Sequence, residues 1–210
     1  MTTTITQSTN RVLLKDISWQ TYEALLKDVE EQPGIRLTYD RGTLEIMTPL
    51  APHEGYKEVI DRFVQTLTEE SNLEVRSLGS LTCKREDLAR GLEPDQCYYI
   101  QNERIVRELE QIDLNQDPPP DLAIEIDITS SSINRLDLYA ALGVPEVWRY
   151  KGQKLTIYQL EGKIYQECDR SPTFPILPSD EVVRFLELRK SMGENSMIRS
   201  FREWVRSQLG

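Results

Sequence analysis

Residues 121–128, DLAIEIDI, sort by parity as a strand does: Leu122, Ile124, Ile126 and Ile128 fall on one face, and Asp121, Ala123, Glu125 and Asp127 on the other. A face carrying three acids is costly to bury, so it must meet solvent, cations or a metal. A one-sided strand with its acids turned to water gives the same pattern. A second acidic segment lies upstream. In EPDQCYYI, residues 93–100, Pro94 stands where a strand can begin without an N–H, and Asp95 and a β-prone aromatic run follow it. Two strands would then each bring a carboxylate to the same end of one sheet, a common way to assemble a divalent-cation site.

The same patterning predicts the rest of the domain. Ser18 can cap a helix over residues 18–31 whose apolar stripe is Trp19, Tyr22, Leu25, Leu26 and Val29, ended by Pro33-Gly34. Residues 35–47 read as a hairpin about Asp40-Arg41-Gly42. From residue 53 to 70, Tyr56, Val59, Ile60, Phe63, Val64 and Leu67 recur at helical spacing. Short strands are expected at 73–76 and 81–84, a polar loop at 85–93, and a stiff Pro118-Pro119-Pro120 lead into the acidic strand. Ser130, Ser131 and Ser132 offer caps to a helix reaching Leu142, with Gly143 and Pro145 ending it. A strand at 146–150, a hairpin turned at Glu161-Gly162 and helices near 180–189 and 197–209 complete the chain. The alternation of strands and helices predicts a mixed α+β domain, a mixed central sheet flanked by helices. We expect a flexible segment at residues 1–17, one domain over 18–190, and a C-terminal helix in 191–210 packed on that domain.

Composition narrows the partners. The chain has 210 residues, enough for one sizeable core, and a net charge of −10. Nucleic-acid affinity rests largely on Lys and Arg neutralising phosphates, so only weak, non-specific binding is expected unless cations are locally concentrated or a metal offsets the acids. No apolar run approaches the ~18 residues of a membrane span, and the start lacks signal-peptide character; a cytoplasmic location is the expectation. Cys83, Cys97 and Cys168 match no zinc spacing. His53 is the sole histidine, which excludes a histidine-cluster metal site.

The order of helix 53–70, strand hairpin, Pro94-Asp95, Glu125, helix and EVWRY resembles the core of PD-(D/E)xK nucleases. The likeness is closer than fold. PPDLAIEI at 119–126, LYAALGVPEVWRY at 138–150, Ile46-Met47-Thr48-Pro49 with Pro52-His53, and GLEPD at 91–95 resemble the Uma family of restriction-endonuclease-like proteins over residues 18–190. The combination is specific, whereas PD alone would mean little.

The resemblance implies a restriction-endonuclease-like core that hydrolyses nucleic-acid phosphodiester bonds, most simply DNA, with Mg²⁺ or Mn²⁺. Carried over, the PD aspartate is Asp95 and the second-strand acid Glu125, which would hold the metal, with Asp127 as a further candidate ligand. The sequence departs from the motif at that residue, because lysine is wanted where Asp127 stands. Arg135, on the following helix, is the candidate to replace that positive charge, although arginine is too basic to act as a general base. His53 could bind metal, relay a proton or cap its helix, and Glu54 and Glu58 are alternative helix acids. Tyr139, Trp148 and Tyr150 read as core or interface aromatics rather than nucleic-acid stacking residues. Many enzymes of this fold act as dimers, so a homodimer is expected. The rival reading is a non-catalytic nuclease-fold protein acting as a regulatory or mobile-element accessory factor.

Overall fold

The computed structural model describes residues 11–30, 32, 34–48, 51–127 and 133–210, with residues 51–54 described by backbone alone. In chain order the elements are β1 (Arg11–Leu14), α1 (Trp19–Asp28), β2 (Arg36–Asp40), β3 (Thr43–Met47), α2 (Ala51–Glu70), β4 (Arg76–Gly79), β5 (Cys83–Arg85), β6 (Arg90–Leu92), β7 (Gln96–Tyr99), α3 (Glu103–Val106), β8 (Leu122–Ile126), α4 (Arg135–Leu142), β9 (Glu146–Lys151), β10 (Lys154–Glu161), β11 (Ile164–Cys168), α5 (Ser179–Leu188) and α6 (Glu194–Leu209). They form a five-stranded sheet, β1-β3-β2-β6-β5, and a six-stranded one, β11-β10-β9-β8-β7-β4. The first is antiparallel throughout. In the second only β8 and β9 run parallel, joined through α4.

Local chemistry explains many boundaries. The Ser18 hydroxyl accepts the Thr21 N–H at 3.1 Å and starts α1. The β2–β3 hairpin turns on Arg41 and Gly42, with φ of 46° and 92°, the paired positive values of a type I′ turn. Gly143 takes φ 81° at the end of α4. Pro33, part of the expected stop for α1, lies outside the described residues, as do Ser130, Ser131 and Ser132.

The second sheet is covered on both faces. On one, Leu122, Ile124 and Ile126 join Val59, Ile60 and Phe63 of α2, Phe185 of α5 and Phe201 of α6 in one buried cluster. On the other, Ala123 and Val147 pack with Leu138, Tyr139 and Leu142 of α4 and with Cys83 and Leu92 of the first sheet. A third cluster joins Trp19 and Tyr22 of α1 to Leu37, Tyr39 and Leu44 beneath it. All five residues of β8 are buried. The acid face of β8 therefore meets neither bulk solvent nor an open edge.

Several expectations change. The segment read as flexible through residue 17 contains β1, whose residues pair with β3. The loop expected at 85–93 contains β6, which pairs with both β2 and β5. Asp95 precedes β7 and Asp127 follows β8, so neither lies inside its strand. The helix expected directly after the three serines starts at Arg135. Asp121 serves the fold: its carboxylate accepts the Ile100 and Asn102 N–H groups at 2.7 and 2.9 Å and the Asn102 amide at 2.5 Å, fixing the chain after β7.

Candidate active site

The register of β7 on β8 pairs Gln96 with Ile124, which sets Asp95 beside Glu125 at the end of both strands. Asp95 is fastened there twice: its N–H donates to the Ile124 carbonyl at 3.2 Å, and its Oδ2 accepts the Ile126 N–H at 2.7 Å. Asp95 and Glu125 line one cavity of about 300 Å³, together with Asp127, Arg135, Tyr139 and Arg149. From the first sheet, Arg11 and Glu45 close it.

Glu125 is the most tightly held of these side chains. Its Oε1 accepts from Arg135 Nη2 at 2.6 Å and from the Tyr139 hydroxyl. Arg135 and Tyr139 are one helical turn apart on α4, so a single helix face delivers both donors. Among the described residues, Oε2 has no hydrogen-bond partner. Burial raises the Glu125 carboxyl above the ordinary glutamate range; Arg135 opposes that shift and the neighbouring Asp95 charge reinforces it. Burial, and then the adjacent carboxylate, holds the Tyr139 hydroxyl protonated, so it remains a donor.

Arg135 reaches Glu125, as its placement beside the acids in the sequence suggested, but both of its terminal nitrogens are engaged by protein. Besides Glu125, Nη2 donates to the Glu93 carbonyl at 2.7 Å and Nη1 to Thr38 Oγ1 at 2.6 Å. It ties α4 to β2, to the segment leading to Asp95, and to β8.

Asp127 faces a different set of partners. Its Oδ2 meets Arg149 Nη2 at 2.5 Å and Lys151 Nζ at 3.3 Å, while among the described residues the buried Oδ1 has no hydrogen-bond partner. Among the described residues, no group of three or more His, Cys, Asp or Glu side chains is disposed to hold a metal ion. Asp95 and Glu125 are the pair brought together, and Asp127 is turned to cations. His53 lies in the first turn of α2, but its side chain is outside the described residues, as is that of Glu54. Glu58 is exposed and does not line the cavity.

Three participants escaped sequence reasoning. Glu45 is only 3% exposed and accepts from Arg11 Nη1 at 3.2 Å. Its setting in Leu44-Glu45-Ile46 repeats that of Ile124-Glu125-Ile126, which was a usable signal. Tyr139 was read as core, although its spacing from Arg135 put the two on one helix face. Arg149 was hidden inside EVWRY; only the parallel register Glu125↔Arg149 places it on the acid face.

Two sheets and flanking helices around a paired carboxylate cavity define a restriction-endonuclease-like α/β protein. A family model described as Uma2, "Putative restriction endonuclease", matches residues 19–189, and the chain belongs to that family. Among solved structures, it resembles a "putative nuclease belonging to DUF820" from Anabaena variabilis at 17% identity and a TM-score of 0.50, over 70% of this chain and 89% of that one. At that identity the likeness concerns the fold. No curated protein matches the chain. Among the described residues no helix is long and apolar enough to cross a membrane.

Proposed function

We propose that this nuclease-family protein is a divalent-metal-dependent endonuclease of the PD-(D/E)xK type, acting on nucleic-acid phosphodiester bonds at Asp95 and Glu125. One observation carries the reading: two carboxylates from adjacent strand ends share a cavity that is also lined by Arg11, Arg135 and Arg149. The donor set fits a hard cation, because both residues offer carboxylate oxygens and, among the described residues, Glu125 Oε2 accepts no hydrogen bond. Bound there, Mg²⁺ or Mn²⁺ would supply Lewis acidity toward the phosphate. Asp95 and Glu125 would hold it, and the Ile126 N–H keeps Asp95 in place. Arg135 and Tyr139 fix the rotamer of Glu125 by occupying Oε1, and Arg135 balances its charge. DNA is the proposed substrate, and a homodimer the proposed assembly.

Titrating Mg²⁺ and Mn²⁺ into wild type, Asp95→Ala and Asp95→Asn with supercoiled and single-stranded DNA tests this. Metal-dependent cleavage by wild type should disappear in both variants; undiminished cleavage by a folded variant would place the activity elsewhere. A second reading is favoured by Asp127 standing where the motif has lysine: a non-catalytic nuclease-fold protein with a regulatory or accessory role. DNA binding by wild type without cleavage under any metal would support it.

A further inference from the structure

We propose that Arg149 is the residue that contacts the substrate phosphate in this cavity, and that Asp127 is the positioning residue that holds it there. The inference rests on the reading of the cavity as a phosphodiester site and names the group that recognises the phosphate.

Not every cation lining the cavity has capacity for a ligand. Arg135 is 15% exposed, and both of its terminal nitrogens are bonded to protein. A guanidinium committed to Glu125, Thr38 and a backbone carbonyl would have to break those bonds to bind a phosphate, at the expense of the carboxylate it supports. Arg11 is equally enclosed, at 15% exposed, and bonds Glu45. Arg149 differs in both respects. It is 33% exposed, and among the described residues its one hydrogen bond is from Nη2 to Asp127. Arginine presents five N–H donors in a planar fork matched to phosphate oxygens, so most of that capacity remains.

Its position is set by backbone. Arg149 pairs with Glu125 in the parallel register of β8 and β9, so the two point to the same face one strand apart, about 4.8 Å between strands. The Asp127 N–H donates to the Tyr150 carbonyl at 2.8 Å, which locks the residue after β8 alongside β9. The carboxylate of Asp127, 8% exposed, then meets Arg149 from the buried side. An acid at this position, which would by itself repel a phosphate, instead orients a cation supplied by the neighbouring strand. The motif lysine's place is thereby taken by a pair, Asp127 and Arg149.

The test measures binding apart from cleavage. Fluorescence anisotropy of a labelled short DNA duplex, and of an RNA duplex of the same sequence, is followed in chelator across a salt series. The proteins are full-length wild type, Arg149→Gln, Arg149→Lys, Asp127→Asn and Arg184→Gln. Arg184 is an exposed α5 residue paired with Glu181 and serves as the charge control. Thermal melts establish that each variant is folded. Arg149→Gln should weaken binding about tenfold and shallow the salt dependence by about one counterion, Arg149→Lys should retain part of the affinity, and Arg184→Gln should change little. Asp127→Asn, which removes a negative charge, should not weaken binding electrostatically, but should narrow the difference between Arg149→Lys and wild type when combined with it, because the fork is no longer oriented. Equal affinity of Arg149→Gln and Arg184→Gln, or no binding by wild type at low salt, overturns the proposal. If Arg149-dependent binding is found and no metal supports cleavage, the phosphate site stands and the endonuclease reading falls. If Asp95-dependent cleavage proceeds unchanged in Arg149→Gln, the reverse holds.

Discussion

Arg135 Nη2 lies 2.6 Å from Glu125 Oε1, and the same guanidinium also bonds the Glu93 carbonyl and Thr38 Oγ1. One side chain thus secures a buried carboxylate while joining a strand of the first sheet to the second sheet and α4. The pair is a structural brace as much as part of the cavity wall. Removing one member of such a pair strands the other charge away from water.

Arg135→Ala should therefore destabilise the protein by about 3–5 kcal/mol, besides impairing any metal-dependent cleavage. Arg135→Lys should recover only part of the loss, because one ammonium cannot reproduce the guanidinium's fixed fork across three acceptors. Urea denaturation of wild type and both variants checks this; a loss within experimental error for Arg135→Ala would show that the brace is not formed in solution.

Tyr139→Phe removes one donor from Glu125 and leaves the packing of α4 intact. The expected cost is about 1.5–3 kcal/mol, the range for a hydrogen bond to a charged group. The Glu125 carboxyl should also move further upward, since the hydroxyl favours its ionised form. Denaturation at two pH values separates these effects: the penalty should be larger where Glu125 is ionised.

The raised Glu125 carboxyl predicts the sign of a pH dependence. Its folded pKa lies above the unfolded value of about 4.3, so the unfolded chain releases the proton first. Stability contributed by this residue should be greatest below the unfolded pKa, fall as pH rises toward the folded pKa, and level off above it. In chelator, the difference between wild type and Glu125→Gln should carry that slope. The unpaired Arg135 left by the substitution shifts the curve without tilting it, since arginine stays charged throughout. A difference independent of pH would contradict the burial of the carboxyl.

Gly91→Ala tests how the segment before Asp95 is seated. A Cβ at this position would overlap the Tyr22 hydroxyl and come within 2.8 Å of its Cζ and 2.9 Å of its Cε1. Tyr22 cannot easily yield, because its ring is fully buried and stacked on Tyr39 at 4.9 Å. A loss of about 1–3 kcal/mol is expected, as for other overpacked cores. Thermal melts read it, and Tyr22→Phe added to Gly91→Ala should relieve only the hydroxyl contact.

What the sequence determined by itself was what neighbours in the chain decide. The hairpin turn at Arg41-Gly42, the stripe of α2, the αL glycine after α4 and the aliphatic face of β8 all follow from local torsional preference or short-period patterning, and the motif resemblance singled out Asp95 and Glu125 as candidate acids. Strands β1 and β6 were not legible, because each is only a few residues long and exists by completing the ladder of a distant partner. The acids of residues 121–127 show the limit most clearly. Asp121, Glu125 and Asp127 have the same parity, yet one caps a loop, one is braced by α4 and one holds cations on β9. A buried carboxylate takes its role from whatever donors surround it, and the hydrogen-bond donors to these three acids stand 10 to 22 positions away in the chain, brought up by α4 or by register on a neighbouring strand. Parity assigns a face to a side chain; only the packed structure supplies the partners that make burial of its charge tolerable.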